Sequence, residues 1–268
     1  METFSACGRV MNGTDQSAAM ISVIICSIDS SKFERTASMY RRLLNGGPFE
    51  IIGIHDARGM AEGYNRGISH SSGSILIFSH DDVEFLAGDF RARLVGHMRQ
   101  YDVLGVLGTT RLTGAQWWNG SGMPYVYGQM AYPGKSGEGF DVLVWSAPTR
   151  AVGKIQAMDG MFLCATREAA ESLRFDQQTF QGFHLYDLDF TFRAHLAGLR
   201  CGVANGLFII HESTGTHDQV WKADAQKFLD KFATRLAQPL HRHFRNSVAH
   251  VADRQGIVRV MSPPHWPR

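Results

Sequence analysis

The sequence lacks the features that mark several specialised classes of protein. Its four cysteines, Cys7, Cys26, Cys164 and Cys201, are far apart, so no pair has the spacing of a zinc ribbon or a redox motif. No apolar run reaches the ~18 residues that a membrane helix needs, and the first residues do not form a secretory signal. No internal repeat is visible. These absences predict a reduced, cytoplasmic setting.

The chain also lacks a strong net charge. The formal charge is +2 over 268 residues, which is too small to indicate a nucleic-acid partner, because binding through phosphates needs a dense basic face. In contrast, 44% of the residues are hydrophobic. This is enough apolar material for one large α/β domain, alone or with a helical appendage.

Strand and helix patterns alternate over the first third of the chain. The run ISVIICSI at 21–28 predicts a buried strand, and Ser30 or Ser31 is expected to cap the helix that follows. FEIIGIHD predicts a second strand, residues 58–70 a second helix, and SILIFSHDD a third strand that ends in acidic residues. Such alternation predicts a doubly wound, mostly parallel central sheet flanked by helices.

The pattern changes further along the chain. Residues 109–135 are rich in Gly, Trp, Tyr and Pro and predict a long binding loop. We divide the chain into an N-terminal segment (1–19), a catalytic domain (20–215) and a C-terminal helical extension (216–268). The extension carries Arg235, Arg242 and Arg245. A solvated helix face or a homodimer contact is the favoured interpretation, and peripheral contact with the inner face of a membrane is the alternative.

The strongest chemical signal is the acidic pair at the end of the third predicted strand. Asp81 and Asp82 repel each other unless a cation or hydrogen bonds compensate, and a divalent metal is the simplest partner. The alternative is that both residues begin a turn and cap the next helix.

Two weaker signals follow in the second half. Asp187 and Asp189 lie in the first turn of a predicted helix, where the helix dipole alone favours carboxylates. His211 follows the apolar run GLFII and is expected at a strand end, where a histidine is either a ligand or a hydrogen-bonded core residue.

In order and spacing, these segments resemble the family 2 type of inverting glycosyltransferases, which have the GT-A fold. ISVIICSID resembles the first nucleotide-binding strand, and the stretch ending in SHDDV resembles the one that carries the Asp-x-Asp motif. MDGMFLCATREA and FHLYDLDFTFRAHLAGLRCGVANGLFIIHES resemble the acceptor-site and catalytic-helix segments. The resemblance covers roughly residues 20 to 215.

The resemblance implies a nucleotide-diphosphate-sugar donor, with UDP as the expected nucleotide. Asp82 and His211 become the expected metal ligands, and a carboxylate with an imidazole favours Mn²⁺ somewhat over Mg²⁺. Asp81 is then available to the ribose or to the metal through water. The residues expected to complete the donor site are Ser27, Asp56, Asn65 and Arg66, with Arg66 either reaching a phosphate or lying solvated on its helix.

The resemblance also implies the acceptor side, where a base must take a proton from the attacking hydroxyl. Asp187 matches that base. The acceptor, a glycan, a lipid-linked sugar or a protein, is expected to contact Asp159, Gly160, Asp189, Trp117 and Trp118. For Asp189, capping of the helix is the alternative role, and for at least one of the two tryptophans it is buried packing.

Two positions depart from the family pattern. His80 occupies the first position of the Asp-x-Asp motif, and Tyr186 stands where a Glu often precedes the catalytic Asp.

Two alternative functions also stay open. A nucleotidyltransferase would share the architecture, although SIDSSKFER lacks the expected glycines, and a non-catalytic binding module would be favoured if Asp187 pointed into the core.

Overall fold

The computed structural model describes residues 19–135, 137–213, 215, 217–239 and 248–262. Within them the helices are α1 (Ser30–Leu44), α2 (Met60–His70), α3 (Phe90–Met98), α4 (Trp117–Ser121), α5 (Arg167–Leu173), α6 (Tyr186–Leu196), α7 (Gln219–Phe232) and α8 (Arg254–Met261). The strands are β1 (Ile21–Cys26), β2 (Phe49–Ile54), β3 (Ile75–Ser79), β4 (Val83–Phe85), β5 (Val103–Gly105), β6 (Leu107–Thr109), β7 (Val126–Pro133), β8 (Phe140–Trp145), β9 (Ala151–Gly153), β10 (Ala157–Met158), β11 (Phe162–Thr166), β12 (Cys201–Ala204), β13 (Ile209–His211) and β14 (Val248–Val251).

The central sheet has the strand order β2-β1-β3-β11-β5-β12-β9. β1 pairs in parallel with β2 and β3, whereas β11 runs antiparallel between β3 and β5. β12 is parallel to β5 and β9 is antiparallel to β12. The strands β2, β1, β3, β5 and β12 therefore share one direction, and the predicted α/β class with a mostly parallel sheet is confirmed.

Helices cover both faces of this sheet. Tyr40 on α1 donates a hydrogen bond to Ser79 Oγ at 2.9 Å, and the ring of Tyr64 on α2 lies 5.1 Å from that of Phe78. Phe78 and Ser79 are neighbours on β3, so their side chains point to opposite faces. α1 and α2 therefore pack on opposite faces, as expected for a doubly wound sheet.

The carboxyl ends of the first three strands meet at one edge. The register aligns Cys26 with Ile54 and Ile25 with Ser79. The residues that follow β1, β2 and β3 are therefore neighbours in space, and this edge is where ligands bind in open α/β sheets.

The prediction of a long loop over residues 109–135 is wrong. This segment contains α4 and the eight-residue strand β7, which lies between β6 and β13 in a second sheet of order β10-β6-β7-β13-β4 and also pairs with β8. Gly128 in β7 has φ +126°, a conformation that suits glycine. Of the glycines and prolines that indicated a loop, Gly128 and Pro133 belong instead to a strand of the second sheet.

The N-cap of one helix and the division of one apolar run into strands also differ from what the local sequence indicates. The N-cap of α1 is Asp29, whose Oδ1 accepts hydrogen bonds from Ser31 N at 2.8 Å and Lys32 N at 3.0 Å, so neither Ser30 nor Ser31 caps the helix. The apolar run CGVANGLFIIH forms two strands, β12 in the central sheet and β13 in the second. A run of apolar residues does not reveal where the chain passes from one sheet to another.

The C-terminal segment is not purely helical. β14 pairs antiparallel with β8, and α7 packs the ring of Phe232 5.0 Å from that of Phe192 on α6. The division at residue 216 remains a prediction, and Arg242 and Arg245 lie outside the described residues, as does almost all of the N-terminal segment. Among the described residues, every helix is too short or too polar to cross a membrane.

Two helical glycines provide a test of the packing on the sheet. A Cβ at Gly67 on α2 would lie 2.2 Å from Ile24 Cγ2, whereas a Cβ at Gly96 on α3 would meet nothing within 4 Å. We expect Gly67→Ala to lower the free energy of unfolding by about 1–3 kcal/mol through overpacking. Gly96→Ala should raise it by about 0.5–1 kcal/mol, because alanine favours a helix. Urea denaturation of both variants measures this, and equal effects would contradict the close packing of α2.

Candidate active site

Asp81 is oriented by residues near the end of β1. Ser27 Oγ lies 2.5 Å from Asp81 Oδ2, to which it donates a hydrogen bond, and Thr36 Oγ1 donates to the backbone oxygen of Asp81 at 2.7 Å. Ser27 is buried. Two of the expected donor residues, Ser27 and Asp81, are thus in direct contact.

Asp82 lies beside His211, which is brought there by strand pairing. β13 pairs antiparallel with β4, with His211 opposite Val83, and Glu212 N donates to the Asp82 backbone oxygen at 2.9 Å. His211 Nε2 is 3.2 Å from Asp82 Oδ1. Both side chains are buried. The structure therefore joins the two residues expected to hold the metal.

His80 adds a third ligand atom to this pair. His80 Nδ1 is 3.4 Å from His211 Nε2 and 3.9 Å from Asp82 Oδ1, so one ligand atom from each of the three residues lies within 4.8 Å of the others. A metal at about 2.1 Å from its ligands holds neighbouring ligand atoms about 3.0–3.4 Å apart. Two of the three separations agree with that range, so these residues fit a metal ion.

The protonation states in this cluster suit ligands. Burial raises the pKa of Asp82, but the hydrogen bond from His211 and the electrostatic interactions with His211 and His80 outweigh it and leave the pKa below its ordinary value. For His80, burial and the neighbouring His211 lower the pKa. A carboxylate and a neutral imidazole are the forms that bind metal.

The two departures from the family pattern contact each other. His80 Nε2 lies 2.8 Å from the hydroxyl of Tyr186, which is also 3.5 Å from the backbone oxygen of Gly160. Tyr186 is buried, and burial raises its pKa well above the ordinary value, so the phenol keeps its proton. His80 and Tyr186 are therefore one hydrogen-bonded pair, which links the group of candidate metal ligands (His80, Asp82 and His211) to α6.

Asp187, the expected base, follows Tyr186 in the first turn of α6. Its side chain is half-buried. Burial, followed by the negative charge of Asp159, raises the pKa of Asp187 to about 7. Asp159 is itself held in place, because its Oδ1 accepts a hydrogen bond from Met161 N at 3.0 Å. A carboxyl group that titrates near neutral pH is suited to general base catalysis.

Gly160 makes room for the start of α6. A Cβ there would lie 2.5 Å from the Tyr186 hydroxyl and 2.7 Å from Asp187 Cβ. Gly160 is therefore required for packing at this position, and an acceptor contact stays a prediction. Any side chain at position 160 would displace Tyr186 and Asp187, the first two residues of α6.

The remaining donor candidates are engaged in other contacts. Asn65 Nδ2 donates to the backbone oxygen of Phe175, and its Oδ1 accepts from Phe175 N, both at 2.9 Å, so it fixes a neighbouring loop rather than a donor. Arg66 Nη2 is 2.7 Å from Asp56 and its Nε is 2.9 Å from Glu62. Its charge is compensated by two carboxylates, which does not favour a phosphate contact. Asp56 is 80% exposed at its side chain and stays a donor candidate.

Two acceptor candidates are structural. Asp189 is fully buried and lies 2.8 Å from Arg193 Nε and 2.5 Å from Lys231 Nζ, so it ties α6 to α7. Trp117 is buried, with its ring 5.7 Å from that of Trp145, and it offers no face to a sugar. Trp118 is only half-buried and remains available for an acceptor.

A cavity of about 280 Å³ opens beside the candidate metal ligands. Ser27, His80 and Asp82 line it together with two exposed apolar side chains, Ile28 and Phe183. The sequence prediction placed Ile28 inside a buried strand, but β1 ends at Cys26, and no sequence pattern indicated Phe183. A larger cavity of about 560 Å³ also touches Asp82, but its lining includes the ion pairs Arg35–Glu212 and Arg254–Glu84.

The central sheet is mostly parallel, has helices on both faces and carries acidic and histidine side chains near the carboxyl ends of its strands, as expected from the resemblance to glycosyltransferases of the GT-A type. The model of the glycosyltransferase-like family matches residues 22–232. The chain belongs to this family, and this membership supports the conclusion that the protein is a glycosyltransferase. No curated protein matches the sequence.

Solved structures with a similar backbone include the mannosyltransferase PcManGT from Pyrobaculum calidifontis in complex with GDP-Man and Mn²⁺ (TM-score 0.48, 10% identity, covering 82% of this chain and 65% of that chain). GalNAc-T7 with UDP, GalNAc and Mn²⁺ has a TM-score of 0.46 at 10% identity, covering 81% of this chain and 48% of that one. A mycobacterial protein has a TM-score of 0.49 at 12% identity, covering 87% and 84%. The ligands in these structures belong to those proteins.

The contacts of Asp189 generate a stability prediction. Asp189→Asn keeps the size of the side chain but leaves Arg193 and Lys231 without their buried anion, so we expect the free energy of unfolding to fall by about 3 kcal/mol. Asp230→Asn, on the exposed side of α7, is the matched control and should change it by less than about 0.5 kcal/mol. Urea denaturation compares the two variants. An unchanged midpoint for Asp189→Asn would contradict the structural role and make Asp189 an acceptor candidate again.

Proposed function

We propose that the chain transfers a sugar from a nucleotide-diphosphate-sugar donor to an acceptor hydroxyl, with inversion at the anomeric carbon and with a metal ion. The observation that supports this most is that a possible metal site lies next to a possible general base. A cluster fit for a cation, His80, Asp82 and His211, is connected through Tyr186 to Asp187, a carboxyl group whose pKa of about 7 suits a base.

The donor end follows from the charges of the leaving group. A nucleoside diphosphate carries concentrated negative charge, and Mn²⁺ or Mg²⁺ bound by Asp82 and His211 would supply Lewis-acid stabilisation of that charge. Asp81, which accepts a hydrogen bond from Ser27, would accept hydrogen bonds from ribose hydroxyls. The exposed side chains of Ile28 and Phe183 offer apolar surface for the flat face of a base.

The acceptor end requires a proton acceptor on the opposite face of the sugar. As the acceptor oxygen bonds to the anomeric carbon, the bond from that carbon to the diphosphate oxygen breaks, and the hydroxyl proton passes to the Asp187 carboxylate. The charge of Asp159 makes this transfer more favourable, because it raises the proton affinity of Asp187. The half-buried Trp118 is the remaining aromatic candidate for stacking on an acceptor sugar.

The donor and acceptor follow less directly from the site. We assign the nucleoside to the cavity beside Ser27, and UDP is the nucleotide that we expect from the family resemblance. The acceptor is proposed to be a glycan, a lipid-linked sugar or a protein, since all three present hydroxyls to an enzyme of this class. The contacts that would choose among them are those around Asp159 and Trp118.

A panel of sugar nucleotides tests the activity. We expect the protein to hydrolyse one class among UDP, GDP and dTDP sugars slowly without an acceptor, since water can replace the acceptor hydroxyl. EDTA should remove this activity and Mn²⁺ should restore it, because the diphosphate charge needs compensation. Release of nucleoside diphosphate is the measurement. Full turnover in EDTA would contradict the metal role of Asp82 and His211.

The pH dependence tests Asp187 as the base. Because a base acts in its deprotonated form, kcat/KM should rise with pH through about 7, the pKa of Asp187. Asp187→Asn should lower the rate of transfer by about 10²–10⁴ with donor binding nearly unchanged. Asp159→Asn removes the negative charge that, together with burial, raises the pKa of Asp187. In this variant the rise of kcat/KM with pH should therefore shift to lower pH.

Stability provides a control for these variants that does not depend on turnover. A carboxyl whose pKa is raised on folding binds more protons when folded, so its effect destabilises the protein as pH rises from about 4 to about 7. Asp187→Asn removes that cost and should therefore be more stable than the wild type above pH 7 in thermal denaturation. Transfer by Asp187→Asn at the wild-type rate would assign the base to another group.

A further inference from the structure

We infer that His80 is a third protein ligand, so that His80, Asp82 and His211 form a two-histidine, one-carboxylate site that holds a transition metal before any nucleotide arrives and selects it over Mg²⁺. This deepens the proposed function by naming the class of metal. The binding itself is measurable without a donor, so the two proposals fail separately.

The backbone around the three ligands is already fixed by bonds within the protein. His80 N donates to the Met161 backbone oxygen at 3.1 Å, and Ser79 Oγ donates to the His80 backbone oxygen at 2.8 Å. The bond from Glu212 N to Asp82 holds the other two ligands in register. A site assembled in this way loses little conformational entropy when a metal binds.

Tyr186 orients the His80 ring. Because Nε2 faces the phenol at 2.8 Å, Nδ1 faces Asp82 and His211. A histidine that binds a metal donates its other ring N–H to a partner, which fixes the tautomer. Tyr186 can accept that N–H while its own proton points towards the Gly160 backbone oxygen. Tyr186 is thus a positioning residue that leaves the Nδ1 lone pair for the metal.

The donor set determines the metal. Mg²⁺ prefers oxygen ligands, retains several waters and is usually held by one or two carboxylates together with substrate phosphates. Imidazole nitrogen suits Fe²⁺, Ni²⁺, Cu²⁺ and Zn²⁺ better, and two imidazoles with one carboxylate leave open positions on the ion. Two nitrogens among three ligands therefore favour a transition metal, and the open positions are available to the diphosphate.

The alternative for His80 is a purely structural hydrogen bond from its Nδ1–H to His211 Nε2, at the same 3.4 Å. The two roles require opposite tautomers of His80. In the structural role, the histidine contributes to stability but not to metal affinity. Metal binding by the nucleotide-free protein separates them.

The experiment uses the full chain, stripped with EDTA and desalted, with no nucleotide present. Loss of the free Mn²⁺ signal in electron paramagnetic resonance counts the bound ions, and displacement by Mg²⁺ measures selectivity. We expect one Mn²⁺ per chain, displaced only by roughly a hundredfold excess or more of Mg²⁺. His80→Ala should weaken Mn²⁺ binding at least about tenfold, and Tyr186→Phe by about 10–100-fold.

Two further variants make the result specific. His80→Asp replaces nitrogen by oxygen, so the protein should still bind Mn²⁺ but lose at least about tenfold of its preference over Mg²⁺. His195→Ala removes a histidine from the last turn of α6 and should leave both quantities unchanged. Circular dichroism confirms that each variant is folded.

The outcomes distinguish the two proposals. Mn²⁺ binding that requires added nucleoside diphosphate, or unchanged Mn²⁺ affinity and selectivity in folded His80→Ala and His80→Asp, would overturn the three-ligand site while leaving sugar transfer intact. A tight Mn²⁺ site in a protein that transfers no sugar would contradict the proposed function and not the site.

Discussion

Two adjacent carboxylates at the end of β3 impose the main constraint on this site, because each must be compensated separately. Asp81 is oriented towards the end of β1 by Ser27, and Asp82 towards β13 by His211. The first contact lies within the central sheet, and the second connects the central sheet to the second one. The two neighbouring carboxylates therefore contact different parts of the protein, which agrees with the proposal that Asp81 binds a ribose and Asp82 a cation.

Helix α6 brings the other half of the chemistry to the same place. Its first residue, Tyr186, contacts His80, and its second, Asp187, carries the raised pKa. Gly160 allows this approach because a side chain there would collide with both. Behind them, Asp189 is buried between Arg193 and Lys231. Within one turn of helix, the sequence YDLD thus supplies a positioning hydroxyl, a candidate base and a structural anion.

The sequence patterns predicted the fold well because they reflect local periodicity. Buried runs such as ISVIIC and ILIFS form β1 and β3 as expected, and their ends define the edge where Ser27, Asp81 and Asp82 meet. The same patterns failed at residues 109–135, where β7 depends on pairing with β6 and β8. The family resemblance suggested donor or acceptor contacts for Asn65, Trp117 and Asp189, with buried packing as the alternative for one tryptophan and helix capping as the alternative for Asp189. In the structure these side chains contact partners within the protein.

By itself, the sequence determined the order of strands and helices from β1 to β3, the acidic residues that follow β3 and the family, since each depends on neighbours in the chain. Only the tertiary structure decided what His80 and Tyr186 do, because the two residues are 106 positions apart and meet at a single hydrogen bond. His80 and His211 are 131 positions apart. Contacts over such separations arise from the packing of α6 and β13 against the end of β3, which no local pattern encodes. For that reason the acidic pair and His211 were predicted from the sequence, whereas the contacts of His80 with His211 and with Tyr186 were not.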